Sequence, residues 1–171
     1  MFELQRVRPD HASAILAFEL ANRGYFTKSI SDRGDDYFAE FEDRHRALLA
    51  EQEAGLGVFH VLLDDDGNVV GRFNLYDVSE GTAVVGYRVA ERVAGRGVAT
   101  AALRDLVELA RVEYGLEKLR AVTSDDNLAS QKVLANAGFV PVGPAQIANR
   151  PGVWFELTLS QRYGVEPPPT R

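Results

Sequence analysis

The sequence predicts a mixed α/β domain built on one central, mostly antiparallel sheet flanked by helices. Three observations carry this. Strand-like runs at 58–63, 69–78 and 82–89 follow one another with only tight turns between them. The apolar period then lengthens from two to about 3.6 residues after Gly95. Short strand and helix signals alternate from there onward. The expected order is β-α-α-β-β-β-α-β-α-β-β.

The elements follow in order. Leu4–Arg8 reads as a first strand, ended by Pro9-Asp10, where proline has no ladder N–H and Asp10 is a cap residue. Ala12, Ile15, Leu16 and Leu20 have helical spacing, and Asn22-Arg23-Gly24 breaks that helix. A second helix is expected over Asp35–Glu53, with Tyr37, Phe38, Phe41, Leu48 and Leu49 on its apolar positions. Gly55 and Gly57 end it. Val58–Leu63 and Val69–Val78 form a hairpin around Asp64–Asn68, because Asp-Gly supplies the positive φ of a tight turn. Ser79-Glu80-Gly81 turns into a third strand, Thr82–Val89. Gly95–Tyr114 reads as a long helix closed by Gly115. Lys118–Thr123, Asn127–Asn136, Phe139–Val142 and Val153–Leu159 are expected as strand, helix, strand and strand.

Composition bounds the function. The chain has 171 residues, 46% hydrophobic and 26% charged, which fits one globular domain, placed at 1–162. Residues 163–171, with three consecutive prolines, read as a disordered tail. The net charge of -6 disfavours nucleic acid as a partner. The absence of cysteine excludes disulfides, thiolate metal sites and a cysteine nucleophile. His11, His45 and His60 have no ligand spacing, so no metal is expected. No apolar run approaches the roughly 20 residues of a membrane span, and no secretory h-region leads the chain, so a cytoplasmic protein is expected.

The chemistry-bearing segment is Val84–Thr100, where a strand feeds a glycine loop that opens the long helix. First-turn N–H groups have no intrahelical acceptor, and the helix dipole adds positive charge there. Gly95 and Gly97 let a ligand approach the backbone. Arg88, Arg92, Arg96 and Arg104 face only Glu91 across this stretch. Such a cradle suits a phosphate or diphosphate. A Walker loop lacks its Gly-Lys-Ser/Thr end here. A dinucleotide fold would place its first glycine at the strand end, whereas Ala90–Ala94 intervene.

At these residues the chain resembles the GNAT acyl-CoA N-acyltransferases. Arg92-x-x-Gly95-x-Gly97 is similar to their Q/R-x-x-G-x-G/A diphosphate loop, and Asn127 through Gly138-Phe139 to their second, Asn-led helical motif. Ser130, three residues after Asn127, and the Leu20–Arg23 stretch followed by Tyr25-Phe26 resemble the branch that acetylates ribosomal-protein N-termini. The resemblance implies acetyl-CoA as cosubstrate and direct transfer to an amine. It implies that Val89 pairs with the pantetheine arm, and that Arg92 and the loop Ala94, Gly95, Arg96, Gly97, Val98, Ala99 and Thr100 hold the diphosphate. Asn127 would bond the pantetheine or serve as a plain helix cap.

Many relatives of that kind carry a tyrosine where this chain has Leu134, which moves the expected general acid to Ser130. The base stays open among Glu19, His60, Glu80, Tyr87 and Glu156. The expected acceptor is a protein N-terminal α-amine, first a ribosomal protein's. A small-molecule amine such as an antibiotic or polyamine, and a non-catalytic acyl-CoA sensor, are the alternatives.

Overall fold

The computed structural model describes residues 1–159, so the expected tail at 163–171 lies outside the described residues. Strand β1 (Glu3–Arg6) leads through a 3-10 turn into helices α1 (Ala12–Ala21), α2 (Arg23–Phe26), α3 (Asp35–Ala39) and α4 (Phe41–Glu53). The meander β2 (Val58–Leu63), β3 (Val69–Ser79) and β4 (Thr82–Val89) follows. Then come α5 (Val98–Val112), β5 (Lys118–Ser124), α6 (Leu128–Asn136), β6 (Val140–Ile147) and β7 (Arg150–Thr158). Among the described residues, no helix is long and apolar enough to cross a membrane.

The seven strands form one sheet in the order β1-β2-β3-β4-β5-β7-β6. Every neighbouring pair is antiparallel except β4 with β5. Alternate residues of a strand face opposite sides, and β3 shows which helices cover which face. Arg72 reaches Glu19 of α1 and Tyr37 of α3. Phe73, one residue on, lies opposite His60, whose ring reaches Tyr114 just past α5. Helices α1 and α3 therefore cover one face and α5 the other. The fully buried Phe59, Phe73, Leu103, Leu106 and Leu119 anchor the core on both sides; removing a side chain such as Leu106 costs about 2–5 kcal/mol.

Three expectations needed correction. The helix expected over Asp35–Glu53 is broken at Glu40, which leaves helical backbone at φ -102° and ψ 19°. The break lets Tyr37 and Phe41 both turn inward, edge to face at 5.7 Å. The first helix breaks at Asn22, within the expected Asn22-Arg23-Gly24, but a short helix not expected there, α2, follows at once and buries Phe26 against Phe18, 5.5 Å away. The last two strands are longer than their apolar runs, because they pair along a hairpin closed by Ala148 and Asn149 at φ 50° and 61°. Two left-handed residues give the turn whose twist matches the strands. The usual Asn-Gly signal is missing, which hid it in the sequence.

Candidate active site

Strands β4 and β5 pair only from Thr82 with Lys118 to Val84 with Arg120, and then separate. The ladder with β3 fixes what this exposes. Ala90 donates to Val70 O, so the alternate residues Arg88 and Gly86 bond to β3, while Tyr87 and Val89 turn their backbone polar groups toward the gap. A strand edge of this kind accepts an extended ligand. Over the gap lies a cavity of about 330 Å³. Its lining includes Gly86 and Tyr87 of β4, Thr123 of β5, Ser130 of α6, Ser29 of the 27–34 loop and Ala148 of the last hairpin.

At the mouth of the gap, α5 begins at Gly97, which sits in left-handed conformation at φ 75°, with Gly95 at φ 72°. A Cβ at either glycine would meet nothing within 4 Å; it is the positive φ, not crowding, that asks for glycine there. No side chain caps the helix, and its first crossing bond is Ala101 N–H to Gly97 O. Beyond the loose turn at 94–97, the N–H groups of residues 95–100 have no close hydrogen-bond acceptor among the described residues. Six consecutive donors at a dipole's positive end fit a diphosphate.

The charge expected to assist them is mostly engaged elsewhere. Arg92 pairs with Asp64 at 2.6 Å, Arg104 donates to Asn136 O, and Arg88 lies on the opposite face against Glu19. Of those four arginines, Arg96 alone has no ion pair or hydrogen bond among the described residues.

Across the gap, Asn127 caps α6 by accepting from Ser130 N–H at 3.2 Å. Both residues line the cavity, so the cap also places Ser130. The Ser130 hydroxyl lies 3.1 Å from the Tyr87 hydroxyl, and Tyr87 stacks on Phe73 at 5.5 Å. Burial raises the Tyr87 phenol, against a smaller lowering by the Ser130 bond. Tyr87 is thus held neutral and hydrogen-bonded to Ser130. The pairing was not legible in the sequence, because the two residues lie 43 positions apart; the strand periodicity that sends Tyr87 to the α5 side was the available signal.

The other base candidates stand away from the cavity. Glu19 is 1% exposed and bonded by Arg33, Arg72 and Arg88 at 2.9–3.2 Å. Burial pushes its carboxyl up, but the Arg33, Arg88 and Arg72 charges outweigh that and hold it below its ordinary value. His60 is buried two strands from the gap, bonded to Phe73 O and the Tyr114 hydroxyl. Burial, against a smaller opposing bond to Phe73, lowers its imidazole to about 4. Glu156 pairs with Lys118 and Arg120, and Glu80 lies in the β3–β4 turn at φ 50°. Among the described residues the cavity lining contains no carboxylate and no imidazole. Ser29, Ser31, Thr123 and Ser124 also line it; loop serines and strand hydroxyls gave no spacing by which the sequence could mark them. No group of acidic or histidine side chains among the described residues could hold a metal.

Comparison with known proteins agrees with this geometry. The Acetyltransferase (GNAT) domain family matches residues 2–140. A probable N-acetyltransferase, YjcK of Bacillus subtilis, is 30% identical over 140 residues, covering 77% of this chain and 76% of its own. The fold is similar to that of the ribosomal-protein-S5-alanine acetyltransferase from Vibrio fischeri, with a TM-score of 0.86 at 19% identity, over 92% of this chain and 93% of that one. It is also similar to Mycobacterium smegmatis RimJ in complex with a CoA disulfide, with a TM-score of 0.82 at 26% identity, over 92% and 81%. Family match, relative and fold converge with a strand pair that opens beside a glycine-capped helix: this chain belongs to the GNAT acetyltransferases and is an acetyl-CoA-dependent acyltransferase.

Proposed function

We propose that the protein acetylates α-amines, with a protein N-terminus, first a ribosomal protein's, as acceptor. One observation carries this: among the described residues the cavity beside the open strand pair is lined by neither carboxylate nor imidazole. An attacking amine must be neutral, because an ammonium has no lone pair. An α-amine, with a pKa of about 7.7–8.0, is roughly one-quarter neutral at pH 7.4, whereas a lysine-like or polyamine nitrogen near 10.4 is only about 0.1% neutral. A site without a base suits the first kind. Nor does the lining offer a carboxylate to pair with a polycation. Small molecules with an α-amine meet the same requirement.

In this reading the donors of residues 95–100 hold the diphosphate of acetyl-CoA, and the strand edge at Val89 holds the pantetheine arm. Asn127 keeps Ser130 at the sulfur end. The amine nitrogen bonds to the thioester carbon and the carbon–sulfur bond breaks. The leaving sulfur takes the Ser130 proton, which Tyr87 replaces across their 3.1 Å contact. The proton that the nitrogen sheds after attack passes through water back to Tyr87, which restores the relay. Backbone N–H of the β4 edge faces the developing oxyanion.

The test is the rate of thiol release against pH, for an N-terminal peptide and for spermidine. The peptide rate should rise with the neutral fraction of its own α-amine and level off above about pH 8. A spermidine kcat/KM equal to or above the peptide's would overturn the α-amine assignment.

A further inference from the structure

On the α1/α3 face of the sheet lies a second cavity, of about 330 Å³, whose lining includes Arg33, Tyr37, Arg44, Arg72 and Tyr76. Three facts mark it out. First, positive side chains outnumber negative ones in its lining: Arg33, Arg44 and Arg72 stand there against Glu51, and Glu19 behind them is shared among Arg33, Arg72 and Arg88. Second, Arg72 is 5% exposed, and its Nε finds no hydrogen-bond partner among the described residues, though its Nη1 bonds Glu19 and the Tyr37 hydroxyl. A buried guanidinium with an unsatisfied donor calls for an acceptor, and Arg72 lines the cavity although the Nε itself is covered by protein. Third, the cavity adjoins the one over the open strand pair. Tyr76 of its lining packs on Gly86, where a Cβ would come within 2.7 Å of the ring, and Gly86 lines the other cavity. The 27–34 loop serves both, with Ser29 and Ser31 in one and Arg33 in the other.

We propose that this second cavity is an anion subsite for the acceptor, taking a carboxylate or phosphate carried near the reacting amine. Arg72 forms its floor, and Arg33 and Arg44, whose guanidiniums lie over the Tyr37 ring at 4.7 and 5.7 Å, form its sides. Exposed Glu51 stands in the lining and Glu40 pairs with Arg44 at 3.6 Å, so apart from the shared Glu19 beneath the floor the negative charge sits at the rim. Arg88 shows the positive surplus independently: burial and repulsion from Arg33 lower its guanidinium although it touches Glu19. The inference rests on the α-amine reading above and adds that the preferred acceptor is acidic close to its amine.

The experiment compares peptides with Ala, Asp or phosphoserine as second residue, and free O-phosphoserine as a small-molecule source of the same group. The wild type should show a KM for the acidic peptides at least tenfold below that of the Ala peptide, and Arg44→Glu should bring the ratio close to one. Preference for free O-phosphoserine over the peptides would assign the subsite to a small metabolite. In parallel, protein saturated with CoA, so that the α5 loop is occupied, is titrated calorimetrically with succinate and inorganic phosphate. Saturable uptake that Arg44→Glu abolishes is expected. Equal KM values in the wild type, a preference that survives Arg44→Glu, or no saturable uptake would show an ion cluster that only holds the fold, and overturn the proposal. Should no peptide be acetylated although acetyl-CoA binds, the α-amine reading fails by itself, and the succinate and phosphate titration decides for or against the subsite.

Discussion

Replacing Glu19 with glutamine would test the claim that this residue holds the fold together rather than serving as a base. The carboxylate is 1% exposed and compensates Arg72 and Arg88, whose side chains are 6% and 18% exposed, together with the more open Arg33. Glutamine keeps the shape and one acceptor but leaves the buried guanidiniums without a counter-charge. Breaking a buried ion pair from one side costs about 3–5 kcal/mol. For a domain of this size that is a fall in Tm of roughly 6–20 °C. The carboxyl also leaves a signature in pH. It titrates below its ordinary value of 4.5 when folded, so its stabilisation is complete above that pH and disappears as the pH falls through the lower folded value. Urea unfolding from pH 7 to pH 3 should show a steeper acid loss for wild type than for Glu19→Gln. A loss of stability below about 1 kcal/mol at pH 7, or an unchanged acid slope, would show that Glu19 does not hold the fold together.

Other expectations follow the same logic. Ser130→Ala and Tyr87→Phe should each lower kcat while leaving the acetyl-CoA Kd within about threefold, and rates equal to wild type would remove the hydroxyl relay. Gly97→Glu should abolish acetyl-CoA binding by calorimetry, since it sets a carboxylate among the free donors at a position with φ 75°; unchanged affinity would remove the loop assignment. Ala148→Gly should stabilise the protein by about 1 kcal/mol in urea, because Ala148 holds φ 50° at the tip of the last hairpin. His60 stays neutral in the folded protein down to about pH 4, whereas the unfolded chain takes up a proton near 6.5. It therefore withdraws up to about 3 kcal/mol of stability as the pH falls between those values, and His60→Gln should flatten stability over that window.

The sheet meander, the long α5 and the glycine loop were legible because each depends on local signals: period, turn residues and a helix start. Glu19 shows what was not legible. On helical spacing it is an ordinary charged residue beside Leu20, yet three arginines from the 27–34 loop, β3 and β4 converge on it. Arg88 and Arg92 show how neighbours in sequence part in the fold. Their nearness in sequence to Gly95 suggested a shared anion site, but strand alternation sends Arg88 to the far face and Asp64 captures Arg92. The Tyr87–Ser130 contact depends on how β4, α5 and α6 pack, which no spacing encodes. The last hairpin was underestimated because Ala148-Asn149 adopts a glycine-type turn without a glycine.

In the proposed reading, the backbone donors of residues 95–100 hold the diphosphate and the gap between β4 and β5 holds the pantetheine arm. A crystal structure with bound acetyl-CoA measures this directly. The diphosphate oxygens should lie about 2.7–3.2 Å from those N–H groups, with the thioester sulfur beside Ser130 and Tyr87. Acetyl-CoA seated away from the start of α5, or its sulfur outside the open strand pair, would contradict the account.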